Sequence, residues 1–300
     1  MLRNPNVLGA LLAMAASAIL SFIDNFVEPV SQEAGLWQFQ VFRTLMAVPI
    51  LLIAARALGQ SVWPKNISRL LGRSLGVSIG LLIYFASLGT LPVAQAGAGL
   101  FSAPIWVVIL SALLFGSRIR PIQIIPLVAG FAGALLLLQP NLTNLTTLSL
   151  LPLAAGLFYG LGMLLTRFWC REEAAITLAV GIFLTMGVLS LFLLAKFTLW
   201  PSDPTSDEFL TRPWATPTLR FLYLTAFQGV GAVVAVSLIA QAYRTGAPPV
   251  VAVFEYSFLI FASLWAFLLW GSTNNLLAWV GIFVIVAAGI IMAMLQRDDA

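Results

Sequence analysis

Residues 97–116 read GAGLFSAPIWVVILSALLFG, twenty residues without a charge. A bilayer core of roughly 30 Å takes about 20 apolar residues to cross as a helix, so the stretch is one membrane span. It is continuous, without the alternation of a lipid-facing strand, so a helix that satisfies its own backbone is the expected form. Working outward, nine more runs qualify, and the spans are 6–28, 36–58, 71–90, 93–115, 121–139, 147–168, 174–196, 219–242, 247–269 and 276–295. Only Leu91 and Pro92 separate the third from the fourth, and Pro92 suits the first turn of a new helix, where its missing N–H costs nothing. The composition agrees, at 61% hydrophobic and 9% charged, against about 25% charge in a soluble domain. The expected fold is an all-α membrane protein. Such a chain points to movement across a membrane before catalysis in water.

The charges test the count. With the N-terminus in the cytoplasm, the inner segments hold Arg3, Arg56, Lys65, Arg69, Arg73, Arg118, Arg120, Arg167, Arg171, Arg244 and Arg297. The outer segments hold Lys196, Arg212 and Arg220, and Arg43 falls inside a span. Cytoplasmic loops carry the excess of Lys and Arg, and a miscounted helix would mix the two sets. Ten spans with both termini cytoplasmic follow.

The remaining features add little chemistry. The run 7–23 behind Arg3 is longer than the apolar core of a secretory signal and reads as a retained first span. A single cysteine, Cys170, excludes an intrachain disulfide framework and reads as an inert small residue. The N-L-T sequons at Asn141 and Asn144 lie in an outer turn close to the bilayer and read as chance matches. Loop 197–218, with Asp203, Asp207, Glu208 and four prolines, reads as a solvated connector. The basic residues are spread through cytoplasmic loops, where they set orientation and meet anionic headgroups, so no nucleic-acid partner is expected. With no histidine and one cysteine, no metal site and no cofactor are expected either.

The opening stretch recurs. Residues 252–271 read AVFEYSFLIFASLWAFLLWG and, like 97–116, end in Gly after Leu-Leu and an aromatic. Each stretch follows a turn with small residues and proline (Leu91-Pro92-Val93-Ala94; Gly246-Ala247-Pro248-Pro249) and precedes a Gly/Ala-bearing last span. The repeat unit therefore has five spans, 1–145 and 146–300. Five is odd, so the second copy is inverted. Two opposed halves suit rocking around a shared midplane site.

These segments resemble the drug/metabolite transporter superfamily, specifically its EamA-type members, over nearly the whole chain. The element in 91–116 is similar to the family's fourth-span motif, with Pro104 at its proline. Ala252-Val253-Phe254-Glu255-Tyr256 resembles an A-P-F-E/R-Y element of the ninth span, and Arg43 a second-span arginine. Gly116-Ser117 and Gly271-Ser272 depart from the family's Gly-Glu ending, and Val253 stands in place of proline. The resemblance implies a transporter whose fourth and ninth spans line a central cavity. That makes Phe101 and Tyr256, at equivalent positions, candidate substrate contacts, with Trp106 and Trp265 behind them.

A charge at a helix centre costs about 2.5–3.5 kcal/mol on insertion scales and marks a candidate site. Arg43 lies roughly 10 Å into a span entered from outside. Asp24 and Glu28 lie four residues apart on one face of the first helix. Arg43 either forms a structural ion pair with Asp24, or binds a substrate carboxylate or phosphate while Asp24 tunes it. Glu28 is expected to snorkel to solvent. Glu255 lies roughly 12 Å in from the cytoplasmic side with no basic residue at matching depth. It suits a coupling proton or a cationic group, or else it is a carboxyl hydrogen-bonded to a backbone carbonyl or a neighbouring hydroxyl. Gly156-x3-Gly160 and the run Ala96–Gly99 read as close helix contacts, and Pro104 should kink its helix.

The expected function is secondary active transport of a small organic metabolite, an amino-acid-like zwitterion or a cation, across the inner membrane by alternating access. The candidate substrate-binding residues are Arg43, Glu255, Tyr256, Phe101, Trp106 and Asp24. The expected partners are the metabolite, a coupling proton or ion, and the lipid bilayer; a homodimer is compatible with the chain. The rival reading is a membrane-embedded enzyme acting on a lipid or lipid-linked substrate, for which only Asp24 and Glu28 approach the necessary paired carboxylates.

Overall fold

The computed structural model of the protein describes residues 4–88, 93–117, 121–140, 150–201 and 208–297. Arg3, Leu91-Pro92, Arg118, Arg120, both sequons, Asp203 and Asp207 lie outside the described residues. Helices α1 (Pro5–Asp24) and α2 (Val27–Glu33) form the first span, α3 (Leu36–Ala57) the second and α4 (Ile67–Leu88) the third. The fourth span is shared by α5 (Val93–Leu100) and α6 (Ala103–Phe115), and α7 (Pro121–Leu138) is the fifth. Then come α8 (Leu151–Phe168), α9 (Ala175–Leu199) and α10 (Leu219–Thr245). The ninth span is divided into α11 (Pro248–Glu255) and α12 (Ser257–Trp270), and α13 (Leu276–Arg297) is the tenth. Among the described residues, ten segments are long and apolar enough to cross a membrane, as the hydropathy reading expects.

Local chemistry sets the helix ends. Asn4 accepts the N–H of Asn6 at 2.9 Å, and Pro5 opens the first turn of α1. Thr218 Oγ accepts the N–H of Phe221 at 3.0 Å and starts α10. The two aligned stretches stop alike. Gly116 (φ 59°) and Gly271 (φ 65°) take the left-handed conformation that glycine adopts without Cβ strain. Gly116 N–H reaches Ala112 O at 3.1 Å and Ser117 N–H reaches Ser111 O at 3.1 Å; Gly271 and Ser272 make the equivalent bonds to Phe267 and Ala266 at 3.0 and 3.2 Å.

Both stretches are also interrupted at the same place. Ser102 N–H bonds to Gly99 O at 3.1 Å and Tyr256 N–H to Val253 O at 3.3 Å, tight i→i−3 turns that separate two half-helices. The hydroxyls of Ser102 and Ser257 donate to Gly99 O and Phe254 O at 2.6 and 2.7 Å. Pro104 acts as expected, although the interruption falls just before it and leaves the proline in the first turn of α6. The ninth span breaks with no proline at the junction, its two prolines lying at the start of α11. A third tight turn, Asn25 N–H to Phe22 O (3.3 Å) and Phe26 N–H to Ile23 O (3.0 Å), divides α1 from α2. Asp24 and Glu28 therefore do not share one helix face: Glu28 is exposed on α2, whereas Asp24 turns inward.

The packing repeats as well. α1 lies along α10 as α4 lies along α8, and α5 and α6 pack on α8 as α11 and α12 pack on α1. α3 meets α10 as α4 meets α9, while α3 with α9 and α7 with α13 are their own equivalents. Exchanging each span for the one five places on reproduces these pairings, whereas α9 with α10 and α8 with α10 have no counterpart of similar extent. Small residues allow the close approaches. A Cβ on Gly156 would lie 2.6 Å from Gly99 O and one on Gly160 2.9 Å from Ala103 O, so the two small-residue runs pack on each other. Between α7 and α13, Gly133 and Gly281 are reciprocal, each hypothetical Cβ falling 2.8 or 2.6 Å from the other's carbonyl oxygen.

Two expectations need correction. The described part of the outer loop is not a solvated connector but a strap. Leu36 N–H bonds to Phe209 O at 2.7 Å, Trp37 Nε1–H to Leu210 O at 2.8 Å, and Gln38 exchanges two bonds with Ala215 at 2.7 and 2.8 Å. Trp37 is thereby buried. Arg73, counted with the cytoplasmic charges, is fully buried between helices, its Nε on Thr166 Oγ (2.7 Å) and Nη1 on Leu178 O (3.0 Å).

Candidate functional site in the central cavity

A cavity of about 130 Å³ sits at the centre of the bundle. Among the described residues, every span except α7 and α13 contributes to its wall, and those two pack against each other instead. Most of the lining is apolar and aromatic, but three charged side chains open onto it: Asp24, Arg43 and Glu255. All three stand out in the sequence as charges inside spans.

Arg43 enters from α3 and is only 8% exposed. Its guanidinium lies 5.7 Å from the ring centre of Phe39 and 5.9 Å from that of Phe183, a cation–π setting. Nε has no hydrogen-bond partner. Asp24 ends α1 where the helix breaks, near enough to Arg43 and to the Tyr84 hydroxyl to act on both electrostatically. No direct ion pair closes between Asp24 and Arg43 among the described residues, so the structural-pair reading lacks its contact. The helices beside Arg43 carry further buried polar groups without partners: Gln40 Nε2 on α3, Ser190 Oγ on α9, and Thr225 Oγ and both amide atoms of Gln228 on α10. Buried polar groups are nearly always paired, with protein or with ordered water, so this flank holds unused hydrogen-bonding capacity.

Glu255 ends α11. Its Oε1 accepts from Tyr159 OH at 2.7 Å and its Oε2 from Tyr243 OH. The carboxyl is therefore held by neighbouring hydroxyls from α8 and α10, one of the partner types expected when no cation lies at its depth. Tyr243, fully buried, is the partner that sequence reasoning missed. Twelve residues before Glu255, across a helix junction, it carries no local signal.

The aromatic candidates divide. Phe101 lines the cavity and packs on Phe258 at 5.4 Å between ring centres. Tyr256 does not reach it. The tight turn at the α11–α12 junction sends its ring the other way, against Gly130 of α7, fully buried with an unpartnered hydroxyl. Trp106 also lies outside the lining, its Cβ facing Gly160 of α8. Trp265 ties α12 to α1 by donating to Ala18 O at 3.1 Å. Tyr84, Phe85, Phe183 and Phe258 line the cavity without having stood out among many aromatics.

Residues 7–139, the first five spans, match the model of the EamA-like transporter family. Over that stretch the chain is similar to the family. The chain is 26% identical over 205 residues to a riboflavin transporter of Rhizobium johnstonii, spanning 67% of this chain and 66% of that one. It is 24% identical over 289 residues to the pseudopaline exporter CntI of Pseudomonas aeruginosa, covering 96% and 97% of the two chains. A riboflavin transporter of Vibrio cholerae is 24% identical over 285 residues, covering 93% and 90%. One solved crystal structure superposes with a TM-score of 0.79 at 17% identity, covering 96% of this chain and 98% of that chain, a likeness of fold alone. With ten apolar segments the protein is a multi-pass membrane protein, and these named relatives are transporters or exporters of small molecules.

Proposed function

We propose that this protein is a secondary active transporter of the inner membrane that carries a small organic zwitterion or cation through the central cavity by alternating access. The observation that carries this reading is that Asp24, Arg43 and Glu255 all open onto one cavity walled by spans of both halves. Arg43, with unused donor capacity, suits a carboxylate or phosphate. Glu255, with no cation bonded to it, suits an ammonium group or a coupling proton. The apolar wall between them suits the body of an organic molecule. Relatives named for riboflavin and pseudopaline favour organic solutes over inorganic ions.

The two halves, 1–145 and 146–300, would rock about their shared site with both termini in the cytoplasm, the orientation favoured by the basic loops. A thermal-shift screen of metabolites against the detergent-solubilised protein identifies the ligand to test. In proteoliposomes, that metabolite in labelled form should show saturable counterflow and emerge chemically unchanged. A chemical product in place of exchange, or no exchange of any metabolite that stabilises the protein, overturns the proposal.

A further inference from the structure

A second cavity, about 590 Å³ and separate from the central one, lies where α4 begins, α8 ends and residues 169–174 connect α8 to α9. Its wall carries four basic and two acidic side chains. Both carboxylates are committed. Glu173 Oε1 accepts the backbone N–H groups of Lys65 and Asn66 at 2.8 and 3.1 Å, and Glu172 pairs with Lys65 Nζ at 3.0 Å. Arg167 directs Nη1 to the carbonyl oxygens of Arg244 (2.6 Å) and Thr245 (3.3 Å). Arg69 and Arg171 are exposed and, among the described residues, their side chains have no hydrogen-bond or ion-pair partner. Arg171 also stands near enough to Arg167 for the two to repel each other. Like charges gathered in one cavity, with both local carboxylates occupied, call for an anion. Beside them Phe168 and Trp169 are 41% and 44% exposed at the end of an apolar span, and Phe168 stacks on Phe115 at 4.0 Å. A soluble anion would use the arginines and leave those rings idle.

We propose that this cavity binds an anionic membrane phospholipid, its phosphate between Arg69 and Arg171 and the start of its acyl chains along Phe168 and Trp169. Native mass spectrometry of the purified full chain, titrated with phosphatidylglycerol and with phosphatidylcholine, tests it. Phosphatidylglycerol should be retained preferentially, and Arg69→Gln with Arg171→Gln should weaken it by about thirtyfold, near a factor of five for each cation. Arg56→Gln, a basic residue outside the cavity, should change nothing, and Arg69→Lys with Arg171→Lys should keep most of the binding. Equal retention of the two lipids, an unaltered affinity in the glutamine variant, or competition for the site by inorganic phosphate at the lipid's own concentration overturns the proposal. The comparison of lipids on the unmodified protein decides the matter even if the glutamine variant fails to fold.

Discussion

At the residue scale the deciding quantity is what each intramembrane charge costs against what holds it. A carboxylate at helix centre costs about 2.5–3.5 kcal/mol, and a hydrogen bond between membrane helices contributes about 0.6, at most about 1.7 kcal/mol. Tyr159 and Tyr243 therefore offset part of the cost of Glu255 and leave its chemistry available. Glu255→Gln keeps both tyrosines within reach of a polar group, so expression should be unchanged while proton-coupled uptake or exchange in vesicles is abolished; unchanged transport would remove Glu255 from the mechanism. Tyr243→Phe should lower stability by about 0.6–1.7 kcal/mol, read by thermal unfolding in detergent. Arg43 is a different case, because its Nε lacks a partner and no ion pair closes to Asp24. The stability losses of Asp24→Asn and Arg43→Gln should add to within about 0.5 kcal/mol in the double variant. A coupling of about 3 kcal/mol, as for a broken buried pair, would restore the structural reading.

At the element scale, glycine acts in two separable ways. Gly156 is a contact residue, with Gly99 O where its Cβ would stand, so Gly156→Leu should force α8 from the fourth span and cost about 1–3 kcal/mol or more. Gly271 has open space around it but a left-handed backbone, so Gly271→Ala should cost only the conformational strain, about 1–2 kcal/mol. Thermal unfolding of the two variants distinguishes crowding from strain. The α8–α9 connection supplies a pH-linked expectation. Cys170 is 1% exposed, and burial pushes its thiol above the usual range, with Arg73 acting in the opposite sense. Burial disfavours the thiolate, so Cys170 should resist maleimide at pH 7.5 in the folded protein and react after denaturation. Rapid labelling of the native chain would contradict the packing of this connection.

At the scale of the whole molecule, the repeated packing of spans and the excess of basic residues on one set of loops both bear on topology. Leu2→Cys and Ala300→Cys variants in inside-out and right-side-out vesicles should react from the same, cytoplasmic side, with Cys170 silent as the internal control. Labelling of the two termini from opposite faces would break the even count of spans, and with it the inverted relation of the halves.

The sequence by itself determined the ten spans, because hydropathy is a local property that each helix must satisfy alone in lipid. It also determined the candidate charges, since an ionisable residue in a span is costly wherever it points, and it exposed the repeat through the paired stretches 97–116 and 252–271. Only the tertiary structure decided which groups share a cavity. A half-turn at a helix break separates Glu255, on the cavity, from Tyr256 beside it, packed on α7. The pairing of Glu255 with Tyr159 and Tyr243, the missing ion pair at Arg43, the burial of Arg73 and the strap across α3 all depend on helix rotation and on which helices become neighbours. In an apolar solvent every helix face looks alike to a hydropathy scale, so those rotations are fixed by packing between spans and not by the pattern within one.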